Sequence, residues 1–304
     1  MSIVKQRQHF LSFDGASRGV LRGYILQVTT RDRFVDSDGV RLRLLDRGPV
    51  HGPTVVLLHG WPDSSHLWRH QIPALADAGF RVLAPDQRGF GASDAPEGVG
   101  AYRMSTLIED LRCILDDSDV QRVHLVGHDW GAALSWTVGR HLPELLTSLT
   151  VLSVGHPDAY RASGMRQRQL SWYMLLFLHE GLAERWLSDD DFSGLRAFAG
   201  DGGDSDRWME DLSRPGRLTA SLNWYRANMP AEALVLPPEG GTPVPVDTMG
   251  IWSTQDVALT EAQMTGSDTH VSGRWRYERI EGASHWIPVD RPDELTGLLL
   301  DWLR

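Results

Sequence analysis

The chain has 304 residues, of which 41% are hydrophobic and 23% are charged, and its formal net charge at pH 7 is −10. These values are ordinary for a globular protein, and the length favours one large domain or one domain that carries an insertion. The negative charge disfavours a nucleic-acid partner, and the single cysteine excludes an internal disulfide and a cysteine-based zinc site. No apolar stretch has the length of a membrane span or of a secretory signal. We therefore expect a cytoplasmic protein without a membrane partner.

Alternating strand and helix patterns begin near residue 33. Residues 1–32 carry mixed signals and form an unassigned N-terminal extension. Over residues 33–155, period-two alternation or short apolar runs predict strands that are separated by segments of helical periodicity. The predicted strands are residues 40–45, 54–59, 81–85, 123–127 and 149–154, and the predicted helices are residues 66–78, 105–115 and 132–142. This alternation predicts an α/β fold with a mostly parallel sheet and helices on both faces.

The pattern changes over residues 156–238. Helical segments follow one another there without intervening strands, and tryptophans are frequent. A passage rich in proline and glycine then leads back to strand patterns at residues 246–252 and 274–280 and to a last helix at residues 292–303. We therefore predict that residues 239–304 complete the sheet core, and that the helical stretch is an insertion that covers it as a cap.

A carboxylate lies at the tip of a sharp turn in the segment VHLVGHDWGAAL, residues 123–134. A strand pattern ends there, Asp129 follows between two glycines, and a helix of small residues begins. In many hydrolases a strand-turn-helix elbow of this kind presents a serine nucleophile. An isolated aspartate before a helix is usually an N-cap. The flanking glycines and the residues described next favour Asp129 as a nucleophile.

Two further residues complete a nucleophile-acid-histidine order along the chain. Asp256 follows a predicted strand, and His285 lies in a Gly-Ala-Ser loop before the last helix. This chain order is that of the α/β-hydrolase fold among the triad enzymes. Asp158, in the segment Gly-His-Pro-Asp at residues 155–158, is an alternative acid. The backbone N–H groups of Trp61 and Trp130 are the predicted oxyanion donors.

On these motifs the sequence resembles the epoxide hydrolases of the α/β-hydrolase superfamily, over roughly residues 33–304. The resemblance is carried by HGWP at 59–62, PDQRGFGASD at 85–94, GHDWG at 127–131, IWSTQD at 251–256 and GASHW at 282–286. Two segments of the helical stretch, WYMLLFLHEGLAE at 172–184 and LNWYRAN at 222–228, are similar to the family's cap motifs. The match implies that Tyr173 and Tyr225 are the two catalytic tyrosines of the cap.

The resemblance implies an α/β-hydrolase fold with a helical cap, and conversion of a small apolar epoxide and water to a vicinal diol. A carboxylate such as that of Asp129 attacks a saturated carbon without a base to activate it. The ring oxygen leaves as an alkoxide and needs a proton, which a phenol with a pKa near 10 can supply. His285, oriented by Asp256, then activates the water that cleaves the ester. No cofactor and no metal are expected. The predicted pocket residues are Trp61, Pro62, Trp130, Trp172 and Trp286.

Two other functions share parts of this pattern. A haloalkane dehalogenase has the same aspartate, the histidine and a tryptophan after the nucleophile, here Trp130, but it needs N–H donors for the halide and does not use paired tyrosines. A ligand-binding member of the fold without catalysis is the alternative from another class, and the complete triad argues against it. The sequence leaves the oligomeric state open, with a homodimer as one candidate.

Overall fold

The computed structural model describes residues 28–200, 202–237 and 240–304, and its centre is one sheet of eight strands. The spatial order is β1-β2-β4-β3-β5-β6-β7-β8, in which β1 and β2 pair antiparallel with their neighbours and the remaining pairs are parallel. The strands are β1 (Val28–Ser37), β2 (Val40–Pro49), β3 (Thr54–Leu58), β4 (Arg81–Pro85), β5 (Val123–His128), β6 (Leu146–Leu152), β7 (Thr248–Ser253) and β8 (Trp275–Ile280).

The central strands are buried because helices cover both faces of the sheet. Every residue of β3 and β4 is buried, which is why these strands are apolar or β-branched, except for Arg81, rather than alternating. The helices of the core are α1 (Gln71–Asp77), α2 (Met104–Asp117), α3 (Trp130–His141), α10 (Glu261–Thr265), α11 (Ile287–Asp290) and α12 (Pro292–Trp302). The predicted α/β fold with a mostly parallel sheet is confirmed.

A helical insertion separates β6 from β7. In the part of it that the structure describes, helices and short 3₁₀ turns occur and no strand is present. Helix α7 contains four non-helical residues, Asp189–Phe192, so that it consists of two shorter pieces. The helices of the insertion are α4 (Pro157–Ala162), α5 (Gly164–Leu170), α6 (Trp172–Phe177), α7 (Leu182–Ala199), α8 (Ser205–Leu212) and α9 (Arg217–Asn228).

Strand β1 was not predicted, and it begins before residue 33, where the core was expected to start. This strand lies at the edge of the sheet, and of its residues 31–37 only Val35 and Ser37 are buried. Edge strands carry charged residues on both faces, which weakens the apolar alternation by which a strand is recognised. Residues 1–27 of the predicted extension lie outside the described residues.

The predicted helix over residues 66–78 is also wrong in its first part. A 3₁₀ helix, Ser65–Trp68, precedes α1, which begins only at Gln71. Pro73 lies in the first turn of α1, where its missing N–H is harmless, whereas in a longer helix it would remove an internal hydrogen bond. Over the described ranges, no helix combines the length and the apolar character that crossing a bilayer requires.

Candidate active site

Asp129 occupies the strained turn between β5 and α3. Its φ of 52° and ψ of −117° are unusual for a residue with a side chain. The glycines on both sides allow this turn, because a Cβ at Gly131 would lie 2.2 Å from the carbonyl oxygen of Leu58 and one at Gly127 would lie 2.3 Å from that of Gly131. The carboxylate does not cap helix α3. It is therefore available at the carboxyl edge of the sheet, as a nucleophile must be.

Asp129 is 9% exposed, and hydrogen-bond donors face its carboxylate. The backbone N–H of Trp61 donates to Oδ1 at 2.7 Å, and His285 Nε2 lies 3.6 Å from Oδ2. Burial raises the pKa of Asp129, but His285, His128 and the backbone N–H of Trp130 together lower it below the usual value. The carboxylate is therefore ionised at neutral pH. The two predicted oxyanion donors, the backbone N–H groups of Trp61 and Trp130, both face the Asp129 carboxylate.

His285 is fixed between two carboxylates. Its Nδ1 lies 2.8 Å from Oδ2 of Asp256, whose other oxygen accepts the backbone N–H groups of Ala258 and Leu259 at 2.8 Å and 2.9 Å. Burial lowers the pKa of the His285 ring, but Asp256 and Asp129 raise it more, to about 10. The ring is therefore an imidazolium ion while Asp129 is charged.

Two core side chains hold the loop that carries His285, and Asp158 does not contact this histidine. The backbone carbonyl of His285 accepts hydrogen bonds from Nε2 of His128 at 2.9 Å and from the hydroxyl of Ser153 at 3.0 Å. Asp158 instead lies in α4, within reach of His156 and His270. Of the two candidate acids, Asp256 is the one that contacts His285.

Tyr173 of α6 and Tyr225 of α9 lie together beside Asp129, with ring centroids 6.2 Å apart. Both rings are buried. Burial raises both pKa values well above 10, and the negative charge of Asp129 raises them further. The two side chains are therefore neutral phenols at neutral pH, each with a proton to donate.

Two cavities of very different size meet at Asp129 and the two tyrosines. The larger one has a volume of about 300 Å³, and the smaller one, on the side of His285, has about 10 Å³, which is close to the space of one water molecule. The larger cavity is mostly apolar, and its lining includes Met104, Ala133, Val154, Met174, Met229 and Leu259. The smaller one is bordered by Trp61, Phe198, Val257, Ala258 and Trp286.

Comparison with known proteins gives a consistent assignment for this site. A family model described as alpha/beta hydrolase fold matches residues 53–292. Epoxide hydrolase A of Mycobacterium tuberculosis is 34% identical, over 90% of this chain and 97% of that protein. Epoxide hydrolase 3 of Xenopus tropicalis is 32% identical, over 90% of this chain and 77% of that protein. The chain belongs to the epoxide hydrolases of the alpha/beta hydrolase superfamily.

Solved structures of epoxide hydrolases have the same architecture. Epoxide hydrolase A from Mycobacterium thermoresistibile superposes with a TM-score of 0.79 at 32% identity, covering 91% of this chain and 98% of that one. A variant of an epoxide hydrolase from Bacillus megaterium, complexed with its naphthyloxy-propanediol product, gives a TM-score of 0.77 at 26% identity, covering 89% and 99% of the two chains.

Three of the five predicted pocket residues border the cavities of this epoxide hydrolase, and two do not. Trp130 lines the larger cavity, and Trp61 and Trp286 line the smaller one. Trp172 is 49% exposed and packs edge-on against Trp186. Adjacent helical residues point about 100° apart, so Trp172 faces outward when its neighbour Tyr173 faces inward.

Pro62 is the second exception, since it borders a separate crevice with Asp63 and Phe90. The backbone N–H of the preceding residue already points at Asp129, and the chain then turns away from the nucleophile. Three methionines of the larger cavity were not predicted, namely Met104, Met174 and Met229. They come from two insertion segments and one core helix, and no spacing along the chain connects them.

Proposed function

We propose that this protein converts an epoxide to a vicinal diol through a covalent ester on Asp129. The observation that carries the proposal is an ionised carboxylate and two neutral phenols that line the same apolar cavity. An epoxide needs both groups, one to attack the ring carbon and one to protonate the ring oxygen. We propose that the insertion, residues 156–238, acts as a cap that supplies the phenols to the core of residues 33–155 and 239–304.

The first step is displacement at a saturated carbon. A bond forms between an Asp129 oxygen and a ring carbon, and the bond from that carbon to the ring oxygen breaks. The leaving oxygen takes a proton from Tyr173 or Tyr225, which becomes a phenolate. Because a carboxylate attacks without deprotonation, His285 does not act as a base in this step. Its positive charge only keeps Asp129 ionised.

The second step is hydrolysis of the ester. Once Asp129 is esterified it carries no charge, so one of the two carboxylates that raise the pKa of His285 is lost. The imidazolium then gives up its proton, which restores the tyrosine phenol, and the neutral ring accepts a proton from a water in the small cavity while the hydroxide adds to the ester carbonyl. The N–H groups of Trp61 and Trp130 stabilise the oxyanion. Collapse transfers the remaining hydroxyl proton to the leaving alkoxide, releases the diol and the Asp129 carboxylate, and leaves His285 as the imidazolium of the starting state.

The dehalogenase alternative is disfavoured by the hydrogen bond of the Trp61 indole. A halide leaving group needs N–H donors of its own, and the indole N–H of Trp61 already donates to the hydroxyl of Ser221 at 3.2 Å. A non-catalytic binding protein is disfavoured by the intact contacts from Asp129 to His285 and from His285 to Asp256. The apolar walls of the large cavity suit a small apolar epoxide.

The variant His285→Gln tests the proposal because it separates the two steps. Alkylation of Asp129 is expected to continue while ester cleavage stalls, so mass spectrometry should detect the protein plus the whole mass of the epoxide, on the peptide that contains Asp129. The matched control is the double variant Asp129→Ala/His285→Gln, which should form no adduct. A dehalogenase would form an adduct with alkyl halides, lighter than the substrate by the halogen. If no epoxide that the wild type turns over gives an adduct, the ester mechanism is wrong.

A further inference from the structure

Three potential metal ligands lie together outside the catalytic centre. His156 and Asp158 belong to the connection from β6 into α4, and His270 ends the 3₁₀ helix Gly266–His270. One ligand atom from each of the three lies within 4.8 Å of the others. His156 and Asp158 are 2% and 4% exposed, whereas His270 is half-buried. The sequence predicts no metal site, because His270 is far from the other two along the chain.

The Asp158 carboxylate is the unusual member of this cluster. Its Oδ2 is buried and has no hydrogen-bond partner among the described residues. A buried polar atom of this kind calls for a partner such as an ion, and an uncompensated carboxylate is costly. The Nδ1 of His156 accepts the backbone N–H of Asp158 at 3.2 Å, so Nε2 is the atom with which His156 can bind a cation.

We propose that His156, Asp158 and His270 bind a divalent transition-metal ion, with Zn²⁺ as the best match. Two imidazoles and one carboxylate are a recurrent donor set for zinc, which completes four-coordination with a water molecule. The half-buried side of His270 gives that water and the ion a route from solvent.

Binding requires one side-chain rearrangement. The rings of His156 and His270 are stacked, with centroids 4.4 Å apart and planes within 8° of parallel. Lone pairs of parallel rings do not converge on one point, so one ring has to turn. His270 is the less buried of the two and lies at the end of a short helix, whereas His156 is held by its bond to the Asp158 backbone.

The ion would tie the start of the helical insertion to the connection between β7 and β8. Hydrogen bonds already join the same two segments, from the backbone N–H of His156 to the Ser267 hydroxyl at 2.8 Å and from the Gln263 side chain to the Ser153 carbonyl at 2.8 Å. The neighbours of His156, Gly155 and Pro157, line the large cavity. The site is therefore structural, and it fixes one wall of the substrate cavity.

The test is calorimetric titration of chelator-treated protein with Zn²⁺, combined with thermal unfolding and with the visible spectrum of a Co²⁺-loaded sample. We expect one equivalent of Zn²⁺ to bind, the unfolding temperature to rise with Zn²⁺, and Co²⁺ to give the intense bands of a four-coordinate site. His270→Ala should weaken zinc binding at least about a hundredfold, in line with the loss of a ligand. It replaces a half-buried side chain, so it is the variant best suited to retain the fold.

Asp158→Asn should also weaken zinc binding, and His66→Ala is the matched control. The His66 side chain is 39% exposed and lies near Asp204, outside the cluster, so its loss should leave zinc affinity unchanged. The proposal is overturned if the wild type takes up no stoichiometric zinc, or if His270→Ala binds zinc as tightly as the wild type and His66→Ala do. None of these readings depends on epoxide turnover.

Discussion

The sheet core and the helical insertion contribute to the catalytic centre in different ways. The core presents Asp129, Asp256 and His285 at the carboxyl ends of β5, β7 and β8, where backbone turns and hydrogen bonds of 2.7–2.9 Å fix them. The insertion presents Tyr173 and Tyr225 on helix faces. Tyr225 is packed by rings, with the centroid of Trp130 at 5.0 Å and that of Phe177 at 5.0 Å.

This difference indicates a division of labour. Hydrogen-bonded groups at strand ends keep the nucleophile and its base in one geometry. Side chains held by packing on inserted helices allow the cavity to change in shape while the nucleophile stays in place. Substitution of the catalytic residues in the core should therefore abolish diol formation. Substitution of the tyrosines in the insertion should lower its rate by degrees or alter the substrate selectivity.

The largest effect is expected for Asp129→Ala. Removing the nucleophile leaves no group to form the ester, so diol formation should fall by at least about 10⁴-fold, as for other nucleophile deletions. The assay is diol formation from a panel of aryl and alkyl epoxides, with circular dichroism to verify the fold. Residual activity within tenfold of the wild type would contradict the role of Asp129.

Substitution of the insertion tyrosines should give a smaller, graded loss. Tyr225→Phe keeps the ring contacts but removes the proton donor, so ring opening should slow about 10- to 1000-fold. Tyr173→Phe should behave similarly, and the double variant should lose more than either. The rate of adduct formation in the His285→Gln background measures this step alone. Unchanged rates in both single variants and in the double variant would remove the tyrosines from the mechanism.

The two cavities predict a preference for epoxides with a substituent on one carbon. A substituent on one ring carbon fits the larger cavity of about 300 Å³. A substituent on the other carbon would have to enter the smaller cavity of about 10 Å³. Overpacking of this kind costs about 1–3 kcal/mol, so an internal trans epoxide should have a kcat/KM roughly 10- to 100-fold below that of the terminal epoxide with the same chain.

Enlarging the small cavity should reduce the difference in kcat/KM between terminal and internal epoxides. Phe198→Ala opens the side that borders His285, while Leu259→Ala opens the large cavity and serves as the control. The ratio of kcat/KM for terminal and internal epoxides should fall in Phe198→Ala and stay constant in Leu259→Ala. Equal turnover of both epoxides by the wild type would show that the small cavity does not limit the substrate.

The smallest effect concerns the contact between insertion and core. The indole N–H of Trp208, in α8, donates to the buried carboxylate of Asp63 at 3.0 Å. Burial raises the pKa of Asp63 to about 6, while this bond and the backbone N–H of Ser64 oppose the rise. Trp208→Phe removes the donor but keeps a ring, so it should destabilise the protein by about 1–3 kcal/mol at pH 8.

The pH dependence of that loss gives a further check. A pKa above the unfolded value means that Asp63 contributes stability at low pH, which is lost as the pH rises through about 6. Without the indole donor this pKa rises further, so urea unfolding should reveal a larger defect at pH 8 than at pH 5. Trp186→Phe is the control, because its indole makes no hydrogen bond in the part of the chain described. An equal defect at both pH values would contradict the role of the Asp63 charge.

The sequence by itself determined the features that depend on neighbouring residues. The apolar and β-branched runs TVVLL of β3 and VLAP of β4 predict strands, because these strands are buried on both faces. The glycines on either side of Asp129 predict the elbow, since a side chain at Gly127 or Gly131 would collide with backbone oxygens. Asp129, Asp256 and His285 each follow a strand pattern along the chain, and their order is that of the α/β-hydrolase fold.

Only the tertiary structure decided which residues from distant segments meet. The charged edge strand β1 is recognisable from its pairing with β2, because its own residues carry a weak pattern. Trp172 and Tyr173 are adjacent in sequence, but the packing of α6 places only the tyrosine beside Asp129. His270 reaches His156 and Asp158 because the sheet brings β6 and β7 side by side. A periodic pattern gives the kind of element, whereas the face that becomes buried and the distance between remote side chains depend on how the elements pack.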